Sequence, residues 1–454
     1  MPRGWRAVRR LLTVCLIAVA CSPRRVREPE QPPMISFPPA PAESAKAPAA
    51  PDIPRDEPPP PRAEGARDVR VALATAAQGA LLSGSGAFRV FDSKNTVLVR
   101  ARGPDVWTVE RRGRQLRATR QGTATSWSDG ILTLRPDRDE EPVMFGAQHF
   151  RGAIRVIASD SGIVIVNVLP VEWYLRGVVP LEIGPRTESE AAAVEAQAIA
   201  ARSYTAVRLA GADGSSSRNA SYDMLSSVAD QVYGGADAER PFSNTAVART
   251  LGMVIKYNGR VVNAPYHSTC GGETAEVDEV WRSGNEPYLQ RVSDRIPGSS
   301  DRFYCDGSPR FTWTRTLSSD ELDAAVRAYL ASYTTVPAGG PGHVRGVTVE
   351  SRTPSGRVAR LLINAERGNF ALRGNDIRYV LRAPGGEILN STYFSVQPES
   401  RSEGGLARIL VKGNGYGHGI GMCQWGAIGR ARAGQSARSI LATYYPGTTV
   451  GFMN

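Results

Sequence analysis

The 454 residues carry 55 Lys and Arg against 44 Asp and Glu, a net charge of +11 and a pI near 9.6. That balance favours an acidic partner: nucleic acid, anionic lipid or a carboxylate-bearing polymer. No basic run is interleaved with aromatic residues, which argues against nucleic acid, and an apolar fraction of 41% permits a real core.

The chain opens with a basic stretch, MPRGWRAVRR, and an apolar one, Leu11–Ala20. Ten residues reach only about 15 Å as a helix, too short to span a bilayer. Ala18 and Ala20 precede Cys21, so residues 1–21 read as an export signal ending in a lipobox-like cysteine, with Cys21 as the lipidation site. Leucine is missing three positions before the cysteine, and plain secretion with cleavage near Ala20 is the alternative. Ser22 suits outer-membrane sorting, giving an exported periplasmic or cell-envelope lipoprotein. Residues 22–66 hold 14 of the 32 prolines and read as an unpacked Pro/Ala-rich tether.

Folded protein is expected over 67–454. Its 67–170 part is β-rich: DVRVALA, FRVFD and NTVLVRA alternate, and RVIASDSGIVIVNVLP predicts a hairpin turning at Asp160-Ser161-Gly162. The 171–454 part carries the candidate site. VEWYLRGVVPLEIG, 171–184, reads as a loop broken by Pro180. Thr187 and Glu190 form a capping-box pattern opening a helix whose Ala191, Val194, Ala198 and Ala201 make a narrow small-residue stripe. Strands are expected again in MVIKYNGRVVNAPYHS, RGVTVES, RVARLLINA and ARILVKG, with short helices around 420–432 and 436–445. The class is α+β, a β-rich body with an alanine-rich helix carrying the active-site face.

The stretch GNGYGHGIGMCQWGA, 413–427, sets His418 on a ladder of glycines, which let backbone approach a ligand closely. A phosphate loop needs Lys-Ser or Lys-Thr after its glycines; Met422-Cys423 stands there instead. A nucleophilic pair of Cys423 or Cys270 with His418 or His267 is disfavoured by the apolar neighbours of Cys423. Two sulfur chemistries stay open. His267, Cys270, Cys305 and Cys423 suit zinc, which accepts mixed nitrogen and sulfur ligands, although no cofactor is required. Alternatively, Cys270 and Cys305 form a disulfide after export. His149 and His343 have no chemistry-bearing neighbours in sequence. Glu182 stands among Val178, Val179, Leu181 and Ile183, an apolar setting that raises a carboxyl pKa towards what a general acid needs.

Seven stretches, taken together and in order, resemble the SpoIID/LytB family of bacterial cell-wall proteins: LPVEWYLRGVVPLEI, EAQAIAARSY, DQVYGG, YHSTCGGETA, RGNDIRYVL with NSTYF, GYGHGIGMCQWGA and YYPGT. They cover roughly 69–454. The resemblance implies a lytic transglycosylase acting on peptidoglycan glycan, notably strands stripped of stem peptides. The family's catalytic acid falls on Glu182, its arginine on Arg202, and its tyrosine before Pro-Gly-Thr in Tyr444-Tyr445. Substrate binding is then expected from Arg202, on the muramic acid carboxylate, and from Gln231, Tyr233, Ser268, Gln424 and Tyr445. His418 is expected to hydrogen-bond glycan or the acid, with metal ligation second. The chain departs from the family pattern at Glu195, where lysine is common, in a segment after Glu182 about two residues longer than usual, and at Cys423, where serine is common. A different class of function also fits the resemblance: a non-catalytic wall-binding module that enhances an N-acetylmuramoyl-L-alanine amidase.

Overall fold

The structure, a computed structural model, describes residues 68–211 and 221–453. The expected export signal, tether and lipidation site at Cys21 lie outside the described residues.

Two seven-stranded sheets open the fold. The first runs in the order Met224–Leu225, Asp68–Ala77, Gly162–Pro170, Ala153–Ser159, Ile131–Pro136, Phe88–Phe91 and Val97–Ala101. The Asp160-Ser161 hairpin forms as expected, with Ser159 opposite Gly162. Ala153–Ser159 buries every second residue, Ile154, Val156 and Ala158, the alternation of a sheet with one packed face. Gly162–Pro170 is buried almost throughout, because it runs inside the sheet and leads directly into a helix.

That helix, α1 (Val171–Ile183), replaces the expected loop. An internal proline costs a helix ~3 kcal/mol. Against this, α1 buries Val171, Trp173, Tyr174, Leu175, Val178, Val179 and Ile183, and full burial of one such side chain contributes roughly 1.5–3 kcal/mol. Packing therefore outweighs Pro180. Gly184, at φ 73°, ends the helix and donates its N–H to the Pro180 carbonyl.

The capping box of Thr187 and Glu190 forms as expected, over a short 3₁₀ turn, and α2 (Ala191–Ala210) follows. Its buried surface is wider than a stripe: every residue from Ala196 to Thr205 is buried. Small side chains on all faces let α1, α3 (Pro241–Arg249), α7 (Gln424–Arg432) and α8 (Ala437–Tyr444) pack around one central helix. Between them in sequence lie α4 (Val277–Val280), α5 (Ser319–Tyr329) and α6 (Asp376–Val380).

One hydrophobic core runs from Val69 through the helices to Tyr445, so the 67–170 part shares it with the helical part. A second core, Leu317 to Val411, is built by two three-stranded sheets with α5 and α6. Among the described residues no helix is long and apolar enough to cross a membrane.

Candidate active site

Glu182 sits in the last turn of α1, half-buried beside exposed Leu181. The Val232 N–H donates to its Oε1 at 2.8 Å, and the side chains of Gln424 and Tyr266 stand near enough to favour its anion. Burial outweighs all three and pushes the carboxyl up to about 7. No second carboxylate is among the groups that act on it. A substantial share of the glutamate is thus protonated near pH 7, as its apolar sequence context suggested.

Tyr266, which carries no local mark of its role in the sequence, lies beside Glu182. It lies on a two-residue strand, Tyr266–His267, paired in parallel with Met422–Cys423. This pairing places Tyr266 opposite Met422, two residues before Gln424, so one short ladder delivers both side chains to the acid. Burial and the Glu182 carboxylate raise the phenol well above its ordinary value, so it stays a donor.

Behind Tyr266, Gln231 is buried and fully engaged. Its Nε2 donates to the Tyr266 hydroxyl at 2.9 Å and to the Ala201 carbonyl, while its Oε1 accepts from Tyr174 and Thr205, each at 3.0 Å. Gln231 therefore orients Tyr266 and does not reach glycan as expected. Gln424 is 6% exposed and also donates to Gln197 Oε1 at 3.3 Å. Its reach to Glu182 makes it a partner of the acid.

His418 answers to backbone on both sides. The Ile420 N–H donates to Nδ1 at 3.0 Å, which puts the proton on Nε2, and Nε2 donates to the Tyr266 carbonyl at 2.9 Å. Burial, with Arg378 nearby, depresses the imidazole to about 3. A neutral ring with both nitrogens committed neither ligates metal nor hydrogen-bonds sugar, contrary to expectation. The glycines likewise serve chain against chain. A Cβ on Gly417 would come within 2.8 Å of the His267 Cβ, and one on Gly421 within 2.1 Å of the Pro265 carbonyl oxygen.

Three further expectations are corrected by burial. Arg202 is inaccessible, clamped by its Nε and Nη2 to both oxygens of Glu172 at 2.7 and 2.8 Å and donating to the Met253 carbonyl. A buried charge needs such a partner, and none of it is left for a muramic carboxylate. Tyr233 is buried and donates to Asn167 Oδ1 at 2.6 Å. Tyr445 is buried, donating to the Pro265 carbonyl at 2.7 Å and accepting from the Met422 N–H; it fastens the ladder that carries Tyr266. Ser268 remains partly accessible, and so is Trp425, whose backbone N–H donates to the Ser268 carbonyl while Arg186 lies over its indole ring. Glu195 faces Arg249 at 3.8 Å. His149 and His343 have partners after all, Asp237 at 2.9 Å and Asp323 at 2.6 Å. Concave surfaces of about 580 and 800 Å³ border the N-terminal sheets and do not include Glu182; the site is located by its chemistry.

Cys270, Cys305 and Cys423 converge as expected, unbonded, with the sulfurs of Cys270 and Cys305 3.5 Å apart. The fourth group is Asp294 and not His267: donor atoms of Cys270, Asp294, Cys305 and Cys423 all lie within 4.8 Å of one another. His267 Nδ1 is turned to the Ile420 carbonyl at 3.2 Å. Hydrogen bonds from Cys270 and Cys423 pull the Cys305 thiol down, while burial pushes those two thiols up.

With this geometry in view, comparison with known proteins is direct. A model of the stage II sporulation protein (SpoIID) family matches residues 159–257, and a domain of unknown function matches 298–421. The stage II sporulation protein D of Bacillus amyloliquefaciens is 31% identical over 63% of this chain and 75% of its own. The amidase enhancer of Bacillus subtilis is 29% identical over 61% of this chain and 40% of its own length. An uncharacterised protein of Brachyspira hyodysenteriae is 28% identical over 66% of this chain and 72% of its own. The chain belongs to the SpoIID family.

Proposed function

We propose that the protein is a peptidoglycan lytic transglycosylase that cleaves the bond between N-acetylmuramic acid and N-acetylglucosamine, with Glu182 as acid and then base. The observation that carries this is the Glu182 carboxyl, raised by burial to about 7, with the Val232 N–H on its Oε1 and Tyr266 and Gln424 near it. Hydrolytic glycosidases use two carboxyl groups. One suffices when the nucleophile belongs to the substrate. The Glu182 proton passes to the glycosidic oxygen as the bond to muramic C1 breaks, freeing the N-acetylglucosamine hydroxyl. The resulting carboxylate takes the proton of the muramic C6 hydroxyl, whose oxygen bonds to C1. The products are a 1,6-anhydro end and a regenerated acid, and intramolecular attack gives the nucleophile a high effective concentration. Tyr266 and Gln424 hold the carboxyl through both proton transfers. Of the other expected substrate residues, partly exposed Ser268 still suits glycan contact, and Trp425 suits a sugar face.

Export, lipidation at Cys21 and tethering along 22–66 would carry the domain to the wall, with peptide-stripped strands as substrate. The resemblance to the amidase enhancer supports a second reading, in which the domain binds glycan and stimulates an amidase without cleaving. Mass spectrometry of denuded glycan incubated with the pure protein separates the two. Anhydromuramic ends support the transglycosylase. Reducing muramic ends point to a hydrolase with a further carboxylate, and intact glycan with faster amidase action supports the enhancer.

A further inference from the structure

We propose that Cys270, Asp294, Cys305 and Cys423 bind a zinc ion as a closed structural site that fastens the strand carrying Tyr266 to the strand leading into Gln424. All four residues are fully buried, and their donor atoms gather within 4.8 Å. Tetrahedral zinc with Zn–S near 2.3 Å sets neighbouring sulfurs ~3.8 Å apart. The Cys270–Cys305 separation of 3.5 Å and the 3.2 Å from Cys270 Sγ to Asp294 Oδ2 are close to such edges.

The surroundings fit a metal better than a disulfide. Asp294 divides its oxygens: Oδ1 accepts from Arg430 at 3.1 Å and from the Tyr444 hydroxyl at 2.5 Å, leaving Oδ2 to face the sulfurs. This is how an outer residue orients a ligating carboxylate. Backbone N–H groups of Cys270 and Gly426 point at Cys423 Sγ, both at 3.2 Å, and that of Gly272 at Cys270 Sγ at 3.4 Å. Cys423 also caps α7, whose N-terminus favours negative charge. A Cβ on Gly426 would fall 2.1 Å from Asp294 Oδ2, so only glycine keeps the cradle open. A Cys270–Cys305 disulfide would leave Asp294 Oδ2 facing no donor and Cys423 with its capping bonds alone.

Binding is not a redox event. Zinc(II) replaces the three thiol protons, which leave to solvent, and accepts the carboxylate oxygen. Three thiolates, a carboxylate and zinc sum to a charge of about −2, which the buried guanidinium groups of Arg430, on Asp294, and Arg357, on the Cys270 carbonyl at 3.1 Å, offset. With four protein ligands and no exposed position, the site holds structure and does not activate water.

The test is elemental analysis of the full chain purified anaerobically, with a readout independent of glycan cleavage. Equimolar zinc is expected, together with tetrahedral cobalt(II) bands and thiolate charge transfer after exchange. Asp294→Asn and Cys305→Ser should lower the zinc content, and His267→Gln should keep it. A metal-free wild type that takes up no zinc or cobalt overturns the proposal, whether its thiols titrate free or peptide mapping finds a Cys270–Cys305 disulfide. Zinc retained by Asp294→Asn but lost from His267→Gln overturns the ligand set. Because the wild-type metal content and cobalt spectrum decide by themselves, a variant that fails to fold does not blunt the test.

Discussion

The imidazole of His418 holds the backbone of Tyr266 across 152 residues of chain, its Nε2 2.9 Å from the tyrosine carbonyl oxygen. The histidine that stands out most in the sequence therefore acts on the site through a neighbour, by fixing the strand from which a phenol reaches Glu182. A depressed histidine stabilises the fold only while neutral. The unfolded imidazole takes up a proton near 6.5 and the folded one only near 3. Stability is then full above about pH 6.5 and falls as pH drops towards 3. His418→Gln should lower stability at pH 7.5 by ~1–3 kcal/mol, the cost of leaving buried backbone groups ill-matched, and should flatten the acid limb. Urea melts at pH 4.5 and 7.5 check this; an unchanged acid limb would remove the histidine from the account.

Glu182 has the opposite slope. Its folded carboxyl titrates near 7 and the unfolded one near 4.5, so the ionised acid weakens the fold progressively as pH rises through that interval. Glu182→Gln should lose activity by ~10²–10⁴-fold and yet melt higher than wild type at pH 8, with little difference at pH 4. An active-site variant that is inactive because it is unfolded would show the reverse.

Tyr266→Phe probes the hydrogen bond that favours the glutamate anion. Removing it should move the Glu182 titration above 7, so the alkaline fall in kcat/KM shifts to higher pH while kcat itself drops. A pH–rate profile with an unmoved alkaline limb would mean the phenol does not act on the Glu182 carboxyl.

Arg202 and Glu172 form a buried pair, and breaking such a pair costs about 3–5 kcal/mol. Arg202→Ala should lose that stability, whereas the fraction that remains folded should bind denuded glycan as wild type does. Equilibrium melts paired with glycan pull-down decide the matter; weakened binding by stably folded protein would return Arg202 to the substrate.

Cys21→Ala should free the full chain from membranes without altering the melting of the folded part. Sedimentation of the variant with membranes would argue against a lipid anchor.

Local signals in the sequence identified the hairpin at Asp160-Ser161, the Thr187 capping box, the C-terminal helices and the apolar setting of Glu182, because each is decided within a few residues. Helix α1 was hidden by Pro180, whose local cost is plain in a sequence while the tertiary burial that outweighs it is not. Arg202 looked like a free cation because Glu172, thirty positions earlier, carries no mark of facing it. Asp294 sits in VSDRIPGSS, a polar run that reads as surface, and only the fold turns it towards three cysteines. Tyr266 was passed over for the histidine beside it.

The chain enters and leaves the unit around the second core, Leu317 to Val411, side by side: the Gly415 N–H donates to the Phe311 carbonyl at 2.8 Å. Two ends one hydrogen bond apart place little demand on the host at the junction itself, so the unit's other contacts set what a change in it would disturb. Arg357 reaches out of the unit to the Cys270 carbonyl, Ser355 to Glu279 and the Asn375 N–H to the Val280 carbonyl, while the Gly417 N–H reaches in to the Asn390 carbonyl. Variation between relatives in this stretch of chain would then reach the strand that carries Tyr266 through these contacts, most directly through Arg357 on the Cys270 carbonyl.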